Sequence, residues 1–266
     1  MFARGAQVVS PNRRVSSRAL ALLAVTQAAV ALWLWGSAPS GVLPRPDEVV
    51  RAVGALWADA GLGAALLTSI GTSLEALAIT AVAGLLISYA TVLPVFRPAV
   101  AAVTTGRFLG LVGLTFGFTL MFSGGHALRV SLLVFGMTVF FVTSMVAEIR
   151  ALPARAFDHA RTVRMGEWRV VLEVVVLGTA DRALELLRQN AAVGWTLLTM
   201  VEGLTRAEGG AGAMLLDRNK HLRLDEVMAI QLCILAVGFL QDRALGALRG
   251  LLCPHAQLRL EEGRTS

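Results

Sequence analysis

The chain has 266 residues, of which 56% are hydrophobic and only 16% charged, and its mean hydropathy is +0.68. Soluble domains usually hold ~45–50% apolar residues, and charge this sparse cannot solubilise a globule of this size, so an ordinary soluble domain is excluded. The net charge of +6 is almost wholly arginine, Lys220 being the only lysine; the arginines flank apolar runs, as positive-inside topology requires, and this argues against a nucleic-acid surface.

The first apolar run, 19–37, follows Arg13, Arg14 and Arg18, a pattern shared with signal peptides. It is long enough to span a bilayer, and signal cores are shorter, so a retained first helix is expected, with cleavage as the alternative. The segment 39–67 is predicted to lie outside. Within it Asp47 can cap a short helix after Pro46, with Val49, Val50, Val53 and Leu56 on one side. That pattern predicts an interfacial helix on the outer membrane surface.

Clear spans follow at 69–93, 106–123 and 129–147, each nearly free of charge. Gly106, Gly110, Gly113 and Gly117 form two Gly-x-x-x-Gly steps in the second of these, which predicts close helix packing. Two weaker spans are expected at 184–204 and 227–244, where Glu185, Arg188, Gln189, Asn190, Gln231, Gln241 and Asp242 call for shielding by neighbours. The expected fold is therefore all-α and polytopic, with about six transmembrane helices. It divides into a cytoplasmic segment 1–18, one transmembrane domain 19–245 and a cytoplasmic tail 246–266. With both termini in the cytoplasm, 17 of the 24 basic residues fall inside, Arg129 being counted among those outside.

The loop at about 148–182 is the longest inside segment. Pro153 suits the first turn of a helix. Ala156, Phe157, Ala160 and Val163 then share one face, and Arg155, Asp158, His159, Arg161, Thr162 and Arg164 cover the rest. A short amphipathic helix of this kind fits a groove on a soluble partner. The same spacing also suits a helix lying on lipid or on its own bundle.

The run Phe157-Asp158-His159-Ala160-Arg161-Thr162-Val163-Arg164-Met165-Gly166-Glu167-Trp168 resembles the Glu-Ala-Ala loop of binding-protein-dependent ATP-binding-cassette permeases. The likeness is to the branch that imports nitrate, sulfonates, taurine and related compounds. Asp158 stands for the Glu, Ala160 for the second Ala, and Arg161-Thr162 and Trp168 match as they stand. Leu43-Pro44-Arg45-Pro46-Asp47-Glu48-Val49, Gly194-Trp195, Val201-Glu202, Gly210-Ala211-Gly212, Asp225 and Gly238 resemble further segments of that branch in the same order. Three positions depart: His159 replaces the middle Ala, Arg164 stands at the family glycine, and Leu177 at the family proline. Because a non-glycine residue at positive φ is costly, the turn is expected to move to Gly166.

The resemblance implies a type I importer permease in a bacterial inner membrane. Its partners would be ATPase subunits, a second permease subunit, alike or distinct, and an extracytoplasmic substrate-binding protein. Phe157, Asp158, Ala160, Arg161, Arg164 and Gly166 would couple to the ATPase. The solute would be a small anion such as nitrate, a sulfonate, taurine or bicarbonate, or a small heterocycle.

The chain itself is expected to be non-enzymatic. Lys220 sits between Asn219 and His221, so there is no phosphate-binding Gly-x-x-x-x-Gly-Lys loop, and ATP and Mg would belong to the partner. No metal-ligand spacing joins His126, His159, His221 and His255. Polar groups within spans are the candidates for a substrate pathway: Glu75, and Trp195, Thr199 and Glu202, which recur on one face of a helix. The competing reading of Glu75 is a charge reaching the outer interface, and that of Glu202 a structural partner for an amide or an arginine. A secondary transporter or channel without an ATPase, and a degenerate non-transporting subunit, are the competing readings. The middle spans show no clear helix break.

Overall fold

The computed structural model describes residues 16–37, 43–122, 125–205 and 208–253, and its elements there are helical. The expected cytoplasmic segment 1–18 and the end of the tail lie almost entirely outside the described residues. In chain order the helices are α1 (Ser17–Gly36), α2 (Pro46–Asp59), α3 (Leu62–Ala90), α4 (Arg97–Thr105), α5 (Leu111–Met121), α6 (Gly125–Arg150), α7 (Ala154–Thr162), α8 (Gly178–Leu204), α9 (Ala211–Lys220) and α10 (Leu224–Leu252). Four of them, α1, α3, α6 and α10, are long and apolar enough to cross a membrane. A fifth span is reached only if the bent pair Pro94–Phe108 and Leu111–Met121 is one crossing. This falls short of the expected six.

Two segments account for the difference. The expected span 106–123 is broken: the two helical pieces meet at 117°. Leu109 and Gly110 are extended at the break, with ψ of 120° and 130°. An apolar run reports burial but not direction, so the bend left no mark in hydropathy. The weaker span 184–204 lies inside α8, whose 27 residues rise about 40 Å. It has the length of a span, but its charged first half keeps it from qualifying on composition. The last helix runs on to Leu252, past the expected boundary at 245.

The bundle is organised around α6, which packs against α3 and α8, while α10 packs on α8, α9 and α2. The apolar window of α6 is 61% buried, against 0% for that of α1. α1 is fastened at its end by the indole of Trp35, which donates to the Pro44 carbonyl at 3.0 Å. The core gathers Leu62, Leu66, Ala76 and Leu77 of α3, Leu133 and Met137 of α6, Trp195 and Leu198 of α8, and Ile230 and Ile234 of α10.

The apolar side expected for α2 is divided between the bundle and the outside. Its Val49, Ala52 and Leu56 face is buried in this same core, while Val50 and Trp57 point outward. Asp47 does not cap the helix. Pro46 takes the first helical position, and Glu48 reaches back to accept from the Arg45 N–H at 2.8 Å. Asp47 instead pairs with Arg51 at 2.7 Å, and that hydrogen bond holds its carboxyl below the usual range.

Of the four glycines expected to pack closely, only Gly106 meets another helix, where an added Cβ would stand 3.4 Å from Val139. A methyl group added at Gly110, Gly113 or Gly117 would meet nothing within 4 Å, whereas one at Gly84 would stand 2.5 Å from the buried Phe141 ring. Gly84 therefore lets α3 and α6 approach, and the glycine stripe of α5 faces away from the rest of the chain.

Candidate functional site

The expected pathway residues separate into four places. Glu202 is fully buried near the C-terminal end of α8. Its carboxylate accepts from the Ser69 hydroxyl at 2.7 and 2.9 Å and from the Gly212 N–H at 2.8 Å. Arg129, also fully buried, brings Nη1 to 3.7 Å from Glu202 Oε1. Its other nitrogens donate to the Gly209 carbonyl at 2.9 Å and to Thr205 Oγ1 at 3.4 Å. Ser69 also accepts from the Ala211 N–H at 2.9 Å. The knot thus ties α3, α6 and α8 to the first turn of α9.

The backbone explains why glycines occur here. Gly210 has φ of +103°, and a Cβ on it would stand 2.5 Å from the Glu202 carboxyl carbon. Gly212 passes so close to Thr199 that its Cβ would lie 2.5 Å from the Thr199 carbonyl oxygen. The loop therefore closes over the carboxylate in a way that side chains would obstruct. With its donors supplied by the protein, Glu202 acts as a fastening between helices.

Trp195 lies deeper in the bundle and is buried. Its indole donates to Gln241 Oε1 at 2.8 Å, and the Gln241 amide donates to Ser73 Oγ at 3.2 Å. This chain links α8, α10 and α3. Thr199, half-buried, turns elsewhere: it lines a groove of about 580 Å³ between α8, α9 and α10, with Met228 and Gln231 opposite. Glu75 belongs to none of this. It is about half exposed and pairs with His126 at 2.9 Å. Of the four, it is Thr199 that lines this groove.

The other candidate site is the loop between α6 and α8. α7 buries Ala160 and half-buries Phe157, which lines a cavity of about 550 Å³ with Val92, Ile149 and Val170. Phe157 therefore packs on the protein's own bundle, while Asp158, His159, Thr162, Val163 and Arg164 are exposed. Arg161 bridges Asp158 at 4.0 Å and Glu167 at 3.4 Å, stitching α7 to the next turn.

The expected move of the turn to Gly166 did not occur. Arg164 itself has φ of +57°, and Gly166 has φ of −66° at the start of the following helical turn. The Met165 N–H donates to the Ala160 carbonyl at 3.2 Å and the Arg164 N–H to the Arg161 carbonyl at 2.9 Å. These two bonds close α7 in the manner glycine usually serves, and they offset the steric cost of an arginine there. After Glu167–Val170 the chain widens into a π-helical stretch, Val171–Leu177, before α8 begins. Four of its seven residues are valines, whose branched side chains fit α-helical packing poorly. Trp168 is 73% exposed beside this stretch.

At this same end of α8 and α10 an ion network joins the two helices. Arg249 holds Asp181 at 2.7 Å and also contacts Glu185, and Arg188 bridges Glu185 at 2.9 Å and Asp242 at 3.2 Å.

Sequence reasoning missed Arg129, counted as a flanking charge, along with Ser69, Thr205 and Gly209. The available signal was an arginine and a glutamate near the ends of two apolar helices, since charges inside a membrane are generally paired. No group of metal-ligating side chains occurs among the described residues. The chain matches no known family model and no curated protein.

Proposed function

We propose that this protein is the membrane-spanning permease subunit of an ATP-binding-cassette importer, moving a small solute across a bacterial inner membrane with ATP hydrolysis on a separate subunit. The observation that carries this reading is the short exposed helix α7, presented between two long bundle helices. It is closed by a left-handed residue, Arg164, at the position where the resemblance has glycine. The π-helical stretch ends at Leu177, where the resemblance has proline. Residues that carry the resemblance elsewhere also meet: Glu202 with Gly210 and Gly212, and Trp195 with Gly238, where an added Cβ would stand 3.5 Å from the indole.

In this reading α7 is the lever. Because Phe157 and Ala160 fix it to the bundle, an ATPase gripping the Asp158, Thr162 and Val163 side would move α7 together with α6 and α8. A solute path then opens and closes as ATP binding favours one of two packings. The groove beside Thr199 and Gln231 is the proposed stretch of that path.

The test is co-purification of the tagged full-length chain from its native membrane. A cassette ATPase is expected with the wild type and absent with Asp158→Lys, while both proteins reach the membrane equally. Recovery of the ATPase in equal amount with both would count decisively against coupling through α7. A second reading, an ion-driven secondary transporter, is favoured by the 117° break and the buried Arg129–Glu202 pair, since broken helices and buried charges mark such proteins. Uptake that collapses with the ion gradient but survives ATP depletion would select it.

A further inference from the structure

We infer that the face formed by the end of α3, α4 and the last turns of α6 is a binding site for the phosphate headgroup of an anionic phospholipid. This rests on the chain being embedded in a bilayer and does not depend on coupling to an ATPase.

A cavity of about 350 Å³ opens there, lined by Arg97, Arg107 and Arg150, by hydroxyls such as Thr104 and Thr143, and by apolar atoms of Val146 and Phe108. No acidic side chain lines it. None of the three arginines takes part in an ion pair among the described residues, although eight others do. Arg97 is oriented by its own Nε–H, which donates to the Thr91 carbonyl at 3.3 Å. Three positive groups therefore line one cavity whose own lining holds no counter-charge; Arg97 and Arg150 also line the adjoining cavity, where the acidic Glu167 is already paired with Arg161.

Depth decides the kind of anion. Arg150 is the last residue of α6, at the end of a span. Gly106, the neighbour of Arg107, rests against Val139. Eleven residues of α-helix separate Val139 from Arg150, a rise of about 16 Å. Arg107 is thus rooted well below the end of the bundle, beside Phe108, which is 76% exposed. Its guanidinium lies 4.9 Å from the Phe108 ring centroid. An unpaired arginine at such depth is expensive in hydrocarbon, and the cost falls when it reaches toward an anion drawn in from the interface. A phospholipid supplies both requirements, a phosphate for the arginines and acyl chains for the exposed ring. Basic pockets between spans are a recognised setting for anionic headgroups. By the arginine bias of the sequence, the leaflet is the cytoplasmic one.

The test uses the full-length protein in detergent micelles containing equal amounts of dioleoylphosphatidylglycerol and dioleoylphosphatidylcholine, with retained lipid counted by native mass spectrometry. The wild type should retain the anionic phosphatidylglycerol in excess, and each of R97Q, R107Q and R150Q should lower that excess roughly fivefold, while R107K keeps it. The control R155Q/R182Q/R243Q, which alters arginines elsewhere, should leave it unchanged. Equal retention of both lipids by the wild type overturns the inference, whatever the variants do. So does equal excess in wild type and R107Q. Displacement of the lipid by millimolar inorganic phosphate would mark a small-anion site instead. Loss of a partner protein from these variants, without any lipid preference, would assign the arginines to protein carboxylates.

Discussion

Glu202→Ala should unfold the Arg129–Glu202 knot, and the structure sets the scale. At 3.7 Å from Arg129, and with an effective dielectric constant of about 20, the lost attraction is roughly 4 kcal/mol. The bonds from Ser69 and Gly212 are each worth about 1.5–3 kcal/mol as bonds to a charged acceptor. The carboxylate's own desolvation cost, relieved by the substitution, offsets much of this. Breaking one half of a buried pair costs about 3–5 kcal/mol net, because the other charge stays buried. At about 2–4 °C per kcal/mol, the melting temperature should fall by about 10 °C. Thermal unfolding of the purified protein, followed by tryptophan fluorescence, measures it. The same assay on Arg129→Met and on the double variant closes a cycle. The double variant should be about 1–3 kcal/mol less destabilised than the sum of the singles. Singles that add to within about 0.5 kcal/mol would refute the pair as the fastening between α6 and α8.

Gly210→Ala meets both a positive φ and a Cβ 2.5 Å from the Glu202 carboxyl carbon, so a loss of at least about 2 kcal/mol is expected in the same assay. Gly113→Ala meets open space within a helix and should be neutral or stabilising by up to about 1 kcal/mol. Arg164→Gly removes the left-handed strain at the end of α7, and amide exchange at Met165 should slow roughly fivefold; unchanged or faster exchange would contradict the account of that turn. Trp195→Phe keeps an aromatic ring but drops the indole N–H that Gln241 accepts and leaves a smaller ring in a buried site, and should cost at least about 1 kcal/mol in thermal unfolding.

Much of the architecture was readable because hydrocarbon selects composition. α1, α3 and α6 announce themselves as long runs with few charges, α10 more weakly, and α7 as a short amphipathic one. What hydropathy could not carry was direction and partnership. The break at Leu109 and Gly110 sits in an unbroken apolar stretch, where a straight helix and a sharply bent one have the same composition. The glycine stripe of α5 satisfied the spacing for close packing, yet only the fold reveals which face a stripe presents. Val49 and Leu56 read equally well as lipid-facing or core-facing, since both environments are apolar. Arg129 resembled any flanking arginine until a glutamate from a helix more than 70 residues away was brought beside it. At Arg164 steric reasoning predicted the wrong turn, because two backbone hydrogen bonds outweighed the preference for glycine.

The bend between α4 and α5 also has a meaning for the surrounding lipid. α5 is 11 residues long, a rise of about 16 Å, roughly half of a ~30 Å hydrocarbon layer. Along that flank the protein offers no full-height wall, and its outward Phe116 and Leu120 reach only part of the bilayer's depth. Acyl chains touching α5 alone would have to shorten, tilt or splay to stay in contact, so local thinning of the bilayer is the expected response along this flank.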